Sequence, residues 1–349
     1  MTRLSYHDKF CNKNIPLQNN CERRLINVQC GSSEKSASNV SYKVETVDES
    51  YLSKGDVLVK VVYSSINYKD MLALQYNGGV IRDYPMIPGI DFAGIVESSS
   101  NDKFKEGDNV LVTGYDVGVT HTGGFSGICT SAWRVDCSYS QEMSIKESMV
   151  YGTAGFTAAL SIFELEKYGM NIKSQPEILV SGATGGVGSV AIQILRKIGY
   201  ENITAIVRKE KQIEIAKKLG VKQVIIIEDD NKPLKKGIFD YFLDTVGNNV
   251  TLYGLKRLNY QGVATVCGNV AGNSLNANIL PFILRGIKLI GIDSVYVDHN
   301  IREDIWSKLA NEWNIGNSLL YNEIGFEEFY KTIDQLLKGQ HLGRTILKV

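Results

Sequence analysis

The chain has 349 residues, 44% hydrophobic and 22% charged, which is long enough for two ordinary domains and excludes a disordered, collagenous or small disulfide-stapled protein. Lys and Arg together number 38, as do Asp and Glu, so the formal net charge is zero and no nucleic-acid partner, which would demand a basic excess, is expected. The most apolar stretches, Ile225-Ile226-Ile227 and 279–297, are short or interrupted by Arg285, Lys288 and Asp293, far from the roughly 20 apolar residues that span a bilayer, so no membrane association is expected either.

Residues 1–24 are polar, lack periodicity and read as an N-terminal extension. Arg3, Lys9, Lys13, Arg23 and Arg24 outnumber Asp8 and Glu22 there, as in an organellar import sequence, but no amphipathic face accompanies them. The six cysteines include no C-x-x-C pair and no secretory apolar stretch opens the chain, so reduced thiols and a cytoplasmic location are the expectation.

Residues 25–150 read as short strands broken by turns: Val57 to Tyr63, Phe92 to Val96 and Asn109 to Val112, punctuated by Lys54-Gly55-Asp56, Glu106-Gly107-Asp108 and Asn77-Gly78-Gly79. From 151 to 294 the rhythm changes to four- or five-residue apolar strands alternating with helical patterns. These are Glu177 to Val180, a helix over Val187 to Ile198, Ile203 to Val207 and a helix over Gln212 to Leu219. Asp240 to Asp244, Val263 to Cys267 and Lys288 to Ile292 follow as apolar runs. Such alternation predicts parallel βαβ units in a doubly wound α/β sheet. An amphipathic segment, Ile301 to Trp313, and a closing strand, Gly343 to Val349, suggest that 295–349 returns to complete the first domain.

One segment carries a chemical signature. Residues Ile178 to Ala191 read ILVSGATGGVGSVA, a strand, a glycine loop and a helix, with Gly186-x-Gly188-x-x-Ala191 matching the dinucleotide fingerprint. Backbone N–H groups and the dipole at that helix N-terminus suit a diphosphate. About 20 positions on, where an NAD site keeps an acid for the ribose diol, the chain has Arg208-Lys209. Two cations there favour the 2′-phosphate of NADP, with a solvated basic turn beside Glu210 as the structural alternative. The four histidines, His7, His121, His299 and His341, show no paired spacing, so no metal site is expected.

Five separated motifs then carry a resemblance. Tyr63-Ser-Ser-Ile-Asn-Tyr-Lys-Asp70, Pro85-Met-Ile-Pro-Gly-Ile-Asp-Phe-Ala-Gly94, Gly152-Thr-Ala-Gly-Phe-Thr-Ala158, Gly182-Ala-Thr-Gly-Gly-Val-Gly188 and Pro281-Phe-Ile-Leu-Arg-Gly286 with Gly291-Ile-Asp-Ser-Val295 stand in the chain in that order. The sequence from about Val28 to Val349 resembles the medium-chain dehydrogenases/reductases of the YhdH/YhfP quinone oxidoreductase type, a group that includes NADPH-dependent acrylyl-CoA reductases. The resemblance implies a GroES-like strand-rich catalytic domain (25–150, completed by 295–349) and a Rossmann NADP-binding domain (151–294). Zinc-dependent relatives hold their metal at places matched here by Asn67, Ile90-Asp91 and Gly152-Thr153, so the resemblance implies a zinc-free enzyme. Without a Lewis acid, hydride addition to an activated C=C or a quinone is the expected chemistry, since it needs only hydrogen-bond polarisation.

That chemistry needs donors at the carbonyl oxygen and a proton source, and Asn67, Tyr68, Lys69 and Asp70 offer an amide, a phenol, a cation and a carboxyl in one stretch. Their structural alternatives are a turn cap for Asn67, the start of a helix over Met71 to Leu74 for Asp70 and a solvated charge for Lys69. The resemblance further places Tyr68, Thr184, Gly185, Gly186, Val187, Val207, Arg208, Lys209, Asn269, Ile283, Ser294 and the backbone of Gly339 on the cofactor, with Arg344 either a replacement contact or a core-edge cation. It also implies a homodimer formed through the last strand of the dinucleotide sheet, near Gly291 to Val295. The implied substrate is a small enoyl-CoA or a quinone; a non-catalytic NADPH-binding protein is the reading from another class.

Overall fold

The computed structural model describes residues 28–36, 40–131, 136–138, 143–228, 232–318 and 320–349. The predicted extension over 1–24 lies outside the described residues. A hairpin of β1 (Val28–Lys35) and β2 (Val40–Val47) precedes β3 (Val57–Ile66), α1 (Tyr68–Ala73), β4 (Asp91–Ser99), β5 (Asn109–Thr113), β6 (Ile128–Ser131) and β7 (Asp136–Ser138). The long helix α2 (Ile145–Lys167) follows, then β8 (Ile178–Val180), α3 (Gly186–Ile198), β9 (Ile203–Val207), α4 (Ile213–Lys218) and β10 (Gln223–Ile226). Next come β11 (Phe239–Asp244), α5 (Asn248–Leu255), β12 (Leu258–Val266), α6 (Leu280–Arg285) and β13 (Lys288–Gly291). The chain ends with α7 (His299–Ala310), β14 (Tyr321–Ile324), α8 (Phe329–Leu337) and β15 (Arg344–Lys348).

Strands β8 to β13 form one parallel sheet in the order β10-β9-β8-β11-β12-β13. Numbered from its own first strand this is 3-2-1-4-5-6, the doubly wound order in which a ligand crosses the carboxyl ends of the strands where the winding reverses. The reversal lies between β8 and β11, and the glycine loop after β8 sits there. The second sheet runs β14-β15-β3-β4-β5-β7, with β6 also on β3. Strand β15 pairs antiparallel with β3, Thr345 opposite Ile66, so the end of the chain does complete the first sheet.

Helix α2 joins the two halves. It opens on a capping box, Glu147 N–H donating to Ser144 Oγ at 3.2 Å and Ser144 N–H to Glu147 Oε2 at 2.9 Å. It packs on β3 and β4 on one side and on α3 and β12 on the other, and its buried Phe156, Ile162 and Leu165 share one core with Ile178, Val190 and Ile346. The change of rhythm near 150 therefore falls inside α2, close to the break at Gly152. Helix α2 is interrupted only at Gly152, whose φ of 50° and ψ of −158° are not helical.

Candidate active site

A cleft of about 850 Å³ lies between the two halves, lined on one wall by Asn67, Tyr68 and Lys69 and on the other by Thr184, Gly185, Gly186 and Val187. Strand β8 delivers the glycine loop, and α3 begins at Gly186 with its first-turn N–H groups lacking partners inside the helix. Gly188 has a steric reason: a Cβ there would stand 2.4 Å from the carbonyl oxygen of Gly182. Gly188 thus lets α3 pack closely on the loop, while Gly185 and Gly186 line the cleft without side chains and leave the backbone open to a diphosphate, so the cradle fits a dinucleotide.

At the far end of the cleft, Val207 and Arg208 follow β9. The Arg208 guanidinium donates to the Gly339 carbonyl at 2.7 Å, which explains how the tail and the basic turn meet. Gln212, a residue that sequence reasoning passed over, organises this turn. Its Oε1 accepts from Arg208 N–H at 3.1 Å and Lys209 N–H at 3.0 Å, while its Nε2 donates to Thr184 Oγ1 at 2.8 Å. No nearby sequence signal marks it except the amide-bearing residue four positions after Arg208. Gly343 N–H donates to the Thr184 carbonyl at 2.9 Å, so the tail also grips the glycine loop.

Beneath Asn67 lies a buried polar network. Asp91 accepts Ser65 Oγ at 2.6 Å and Ser65 N–H at 3.2 Å on Oδ1, and Asn67 Nδ2 at 3.0 Å and Thr153 N–H at 2.8 Å on Oδ2. Arg344, 2% exposed, donates to Asn67 Oδ1 at 3.1 Å, Ser65 Oγ at 2.8 Å and Val150 O at 3.0 Å. Asp70 accepts Asn67 N–H at 2.8 Å and Ile90 N–H at 3.0 Å, which caps α1 and starts it at Tyr68 rather than Met71. Burial, with the neighbouring Asp91 as a second cause, pushes the Asp70 carboxyl up to about 7.

This geometry sorts the predicted residues. Asn67, Tyr68, Lys69, Thr184, Gly185, Gly186, Val187, Val207, Arg208, Asn269, Ser294 and Gly339 all line the cleft. Asn67, expected to offer its amide outward, has both ends of that amide committed to Asp91 and Arg344. Asp70 is fully buried behind the wall, with its oxygens turned to backbone donors. Lys209 is exposed beside the cleft and takes part through its backbone N–H. Ile283 is not among the lining residues; α6 carries it on the outer surface, 66% exposed. Arg344 is the buried cation of the network, although its edge also reaches the cleft. Sequence reasoning also missed His341 and Cys267 in the lining. Burial holds the His341 imidazole down at about 4 and pushes the Cys267 thiol up to about 12.

The places that the resemblance matches to zinc ligands, Asn67, Ile90-Asp91 and Gly152-Thr153, carry no imidazole or thiolate, and both Asp91 carboxylate oxygens are already taken by N–H and O–H donors. That donor set does not fit a zinc ion, which takes about three N, S or O ligands with free lone pairs. Among the described residues no group of three or more His, Cys, Asp or Glu side chains is arranged to hold a metal, and no helix is long and apolar enough to cross a membrane.

Comparison with known proteins agrees with this architecture. Residues 53–160 match the alcohol dehydrogenase GroES-like domain and residues 186–311 the zinc-binding dehydrogenase domain. The acrylyl-CoA reductase AcuI of Ruegeria pomeroyi is 36% identical over 305 residues, covering 85% of this chain and 91% of that protein. The crystal structure of Escherichia coli K-12 YhdH with bound NADPH superposes with a TM-score of 0.88 at 37% identity, covering 92% of this chain and all of that one. Bacillus subtilis YhfP with NAD bound gives 0.87 at 38% identity, covering 92% of this chain and 99% of that one. A GroES-like domain, a Rossmann sheet and relatives of this closeness show that the chain belongs to the YhdH/YhfP and acrylyl-CoA reductase group of the medium-chain dehydrogenases/reductases.

Proposed function

We propose that this protein is an NADPH-dependent reductase that adds hydride to the activated C=C of a small enoyl thioester such as acrylyl-CoA, working in the cytoplasm as a homodimer. The observation that carries the reading is that Tyr68 and Lys69, at the start of α1, and the segment Thr184 to Val187 line one cleft. NADPH supplies the hydride. The α3 N-terminus and the glycine loop would hold the diphosphate, and Arg208, on a turn whose Glu210 is not among the lining residues of the cleft, would take the 2′-phosphate. As charge develops on the substrate carbonyl oxygen, the wall carrying Tyr68 and Lys69 would provide an O–H donor and a cation, and a proton would reach the α-carbon from Tyr68 or from water. The apolar side of the cleft, Ile66, Leu72, Val80 and Ile90, also suits a flat ring, which favours a quinone or enone as the second reading.

The test is NADPH and NADH oxidation by chelator-treated protein with acrylyl-CoA beside a simple quinone. Saturable turnover of acrylyl-CoA with NADPH preferred is the expected result. Turnover of the quinone alone would put the second reading first, and activity lost with the metal would overturn both.

A further inference from the structure

We propose that Gln212 is a positioning residue that sets the choice between NADPH and NADH: its amide joins the turn carrying Arg208 and Lys209 to the glycine loop without adding charge, an inference that rests on the cofactor reading above. Gln212 is half-buried and lines the cleft together with Thr184, Val207 and Arg208. Its Oε1 accepts from two successive backbone donors, Arg208 N–H at 3.1 Å and Lys209 N–H at 3.0 Å, and its Nε2 donates to Thr184 Oγ1 at 2.8 Å. One side chain therefore spans the gap between the loop that would hold the diphosphate and the turn that would meet the adenosine ribose.

Arg208 is held at its other end as well. Its Nη2 donates to the Gly339 carbonyl at 2.7 Å, and a Cβ on Gly339 would stand 2.5 Å from that nitrogen. With the backbone fixed by Gln212 and one guanidinium nitrogen by Gly339, the exposed Arg208 offers its remaining N–H groups to an anion with little ordering left to do. Lys209, whose N–H shares the same amide oxygen, is exposed beside it.

Charge explains why an amide suits this place. An oxygen that accepts two backbone N–H groups could as well belong to a carboxylate, whose charge-assisted bonds are the stronger ones. A carboxylate here would stand in the cleft among the groups offered to the 2′-phosphate, itself carrying about −1.5 to −2 charges at neutral pH, and would repel it. An acid beside the free ribose diol is what an NAD site keeps. The neutral amide supplies the same geometry and leaves the positive potential of the turn undiminished.

Gln212→Glu keeps the length and an acceptor for both N–H groups and adds the charge, whereas Gln212→Met keeps the length and removes acceptor and donor together. Three readouts are compared with the parent: the thermal midpoint, and the dissociation constants of NADPH and of NADH from nucleotide fluorescence at low and high salt. Gln212→Glu should leave the midpoint unchanged, weaken NADPH at least about tenfold and keep NADH within about twofold, and its NADPH loss should shrink at high salt, where the added charge is screened. Gln212→Met tests the positioning by itself and should weaken NADPH about three- to tenfold while NADH again stays within about twofold. Equal losses of both nucleotides in the two variants would show that the amide only holds the cleft together, and would overturn the proposal. NADPH bound by Gln212→Glu as tightly as by the parent, or a loss indifferent to salt, would overturn it too. A parent that binds NADH as tightly as NADPH would sink the NADPH reading and this inference together, whereas a parent that prefers NADPH and is matched by both variants sinks the inference alone.

Discussion

Asp70 shows how one buried carboxyl sets a measurable pH dependence. Its pKa lies at about 7 in the folded protein against an ordinary value of 3.8, chiefly through burial and then through Asp91. Between these values the folded state keeps a proton that the unfolded chain has released. Stability therefore falls as pH rises from about 4 to about 7, with a slope approaching about 1.4 kcal/mol per pH unit, and levels off above. His341 acts in the opposite sense, because its depressed pKa of about 4 makes stability rise with pH between there and 6.5. The two slopes oppose each other in the parent, so the difference between parent and Asp70→Asn isolates the carboxyl. Urea unfolding at pH 5, 6, 7 and 8 should show the parent losing ground to Asp70→Asn up to pH 7 and no further. A difference that stays constant over that range would refute the elevated pKa.

At the scale of the element, the break in α2 is what joins the catalytic wall to the polar network. A Cβ on Gly152 would stand 2.4 Å from Ser65 Oγ, 2.7 Å from Asp91 Oδ2 and 2.8 Å from Arg344 Nη2, on a backbone with φ of +50°. Gly152→Ala should cost about 2 to 4 kcal/mol, from overpacking and the left-handed backbone together, and should lower kcat by displacing Asn67. A loss under about 0.5 kcal/mol in urea unfolding would mean that the network is soft and does not position the wall. This element also marks the limit of what the sequence discloses. The glycine loop was legible because strand, turn and helix signals are contiguous and each has a local cause. Gly152-Thr153 could be matched to a family motif, but its purpose lies in an Asp91 contact 62 positions away, and Arg344 meets Asn67 across 277. Local spacing carries no trace of such pairings. The same reason hid Gln212, and the turn-by-turn pattern of α2 does not reveal that it packs against both sheets.

For the whole molecule, alternating strands and helices were enough to foresee the doubly wound sheet, and the apolar tail was enough to foresee its return to the first sheet. What a single chain's pattern leaves open is the edge of the doubly wound sheet. Among the described residues β13 pairs with β12 alone, at the end of the sheet. Next to it α6 exposes Ile283 at 66% and Leu284 at 56%, with Ile279 at 65% just before it. An open edge beside clustered exposed apolar side chains is a surface that soluble proteins cover. A two-fold axis perpendicular to β13 at its edge would pair the strand with its copy and bury both copies of α6. In such an interface each substitution counts twice. Leu284→Asp removes two apolar contacts worth about 1.5 to 3 kcal/mol each and buries two carboxylates, enough to weaken association by at least about 100-fold. Sedimentation at micromolar concentration should therefore give a dimer for the parent and a monomer for Leu284→Asp. A monomeric parent would exclude the dimer, and a variant that stays dimeric would move the interface away from α6 and β13.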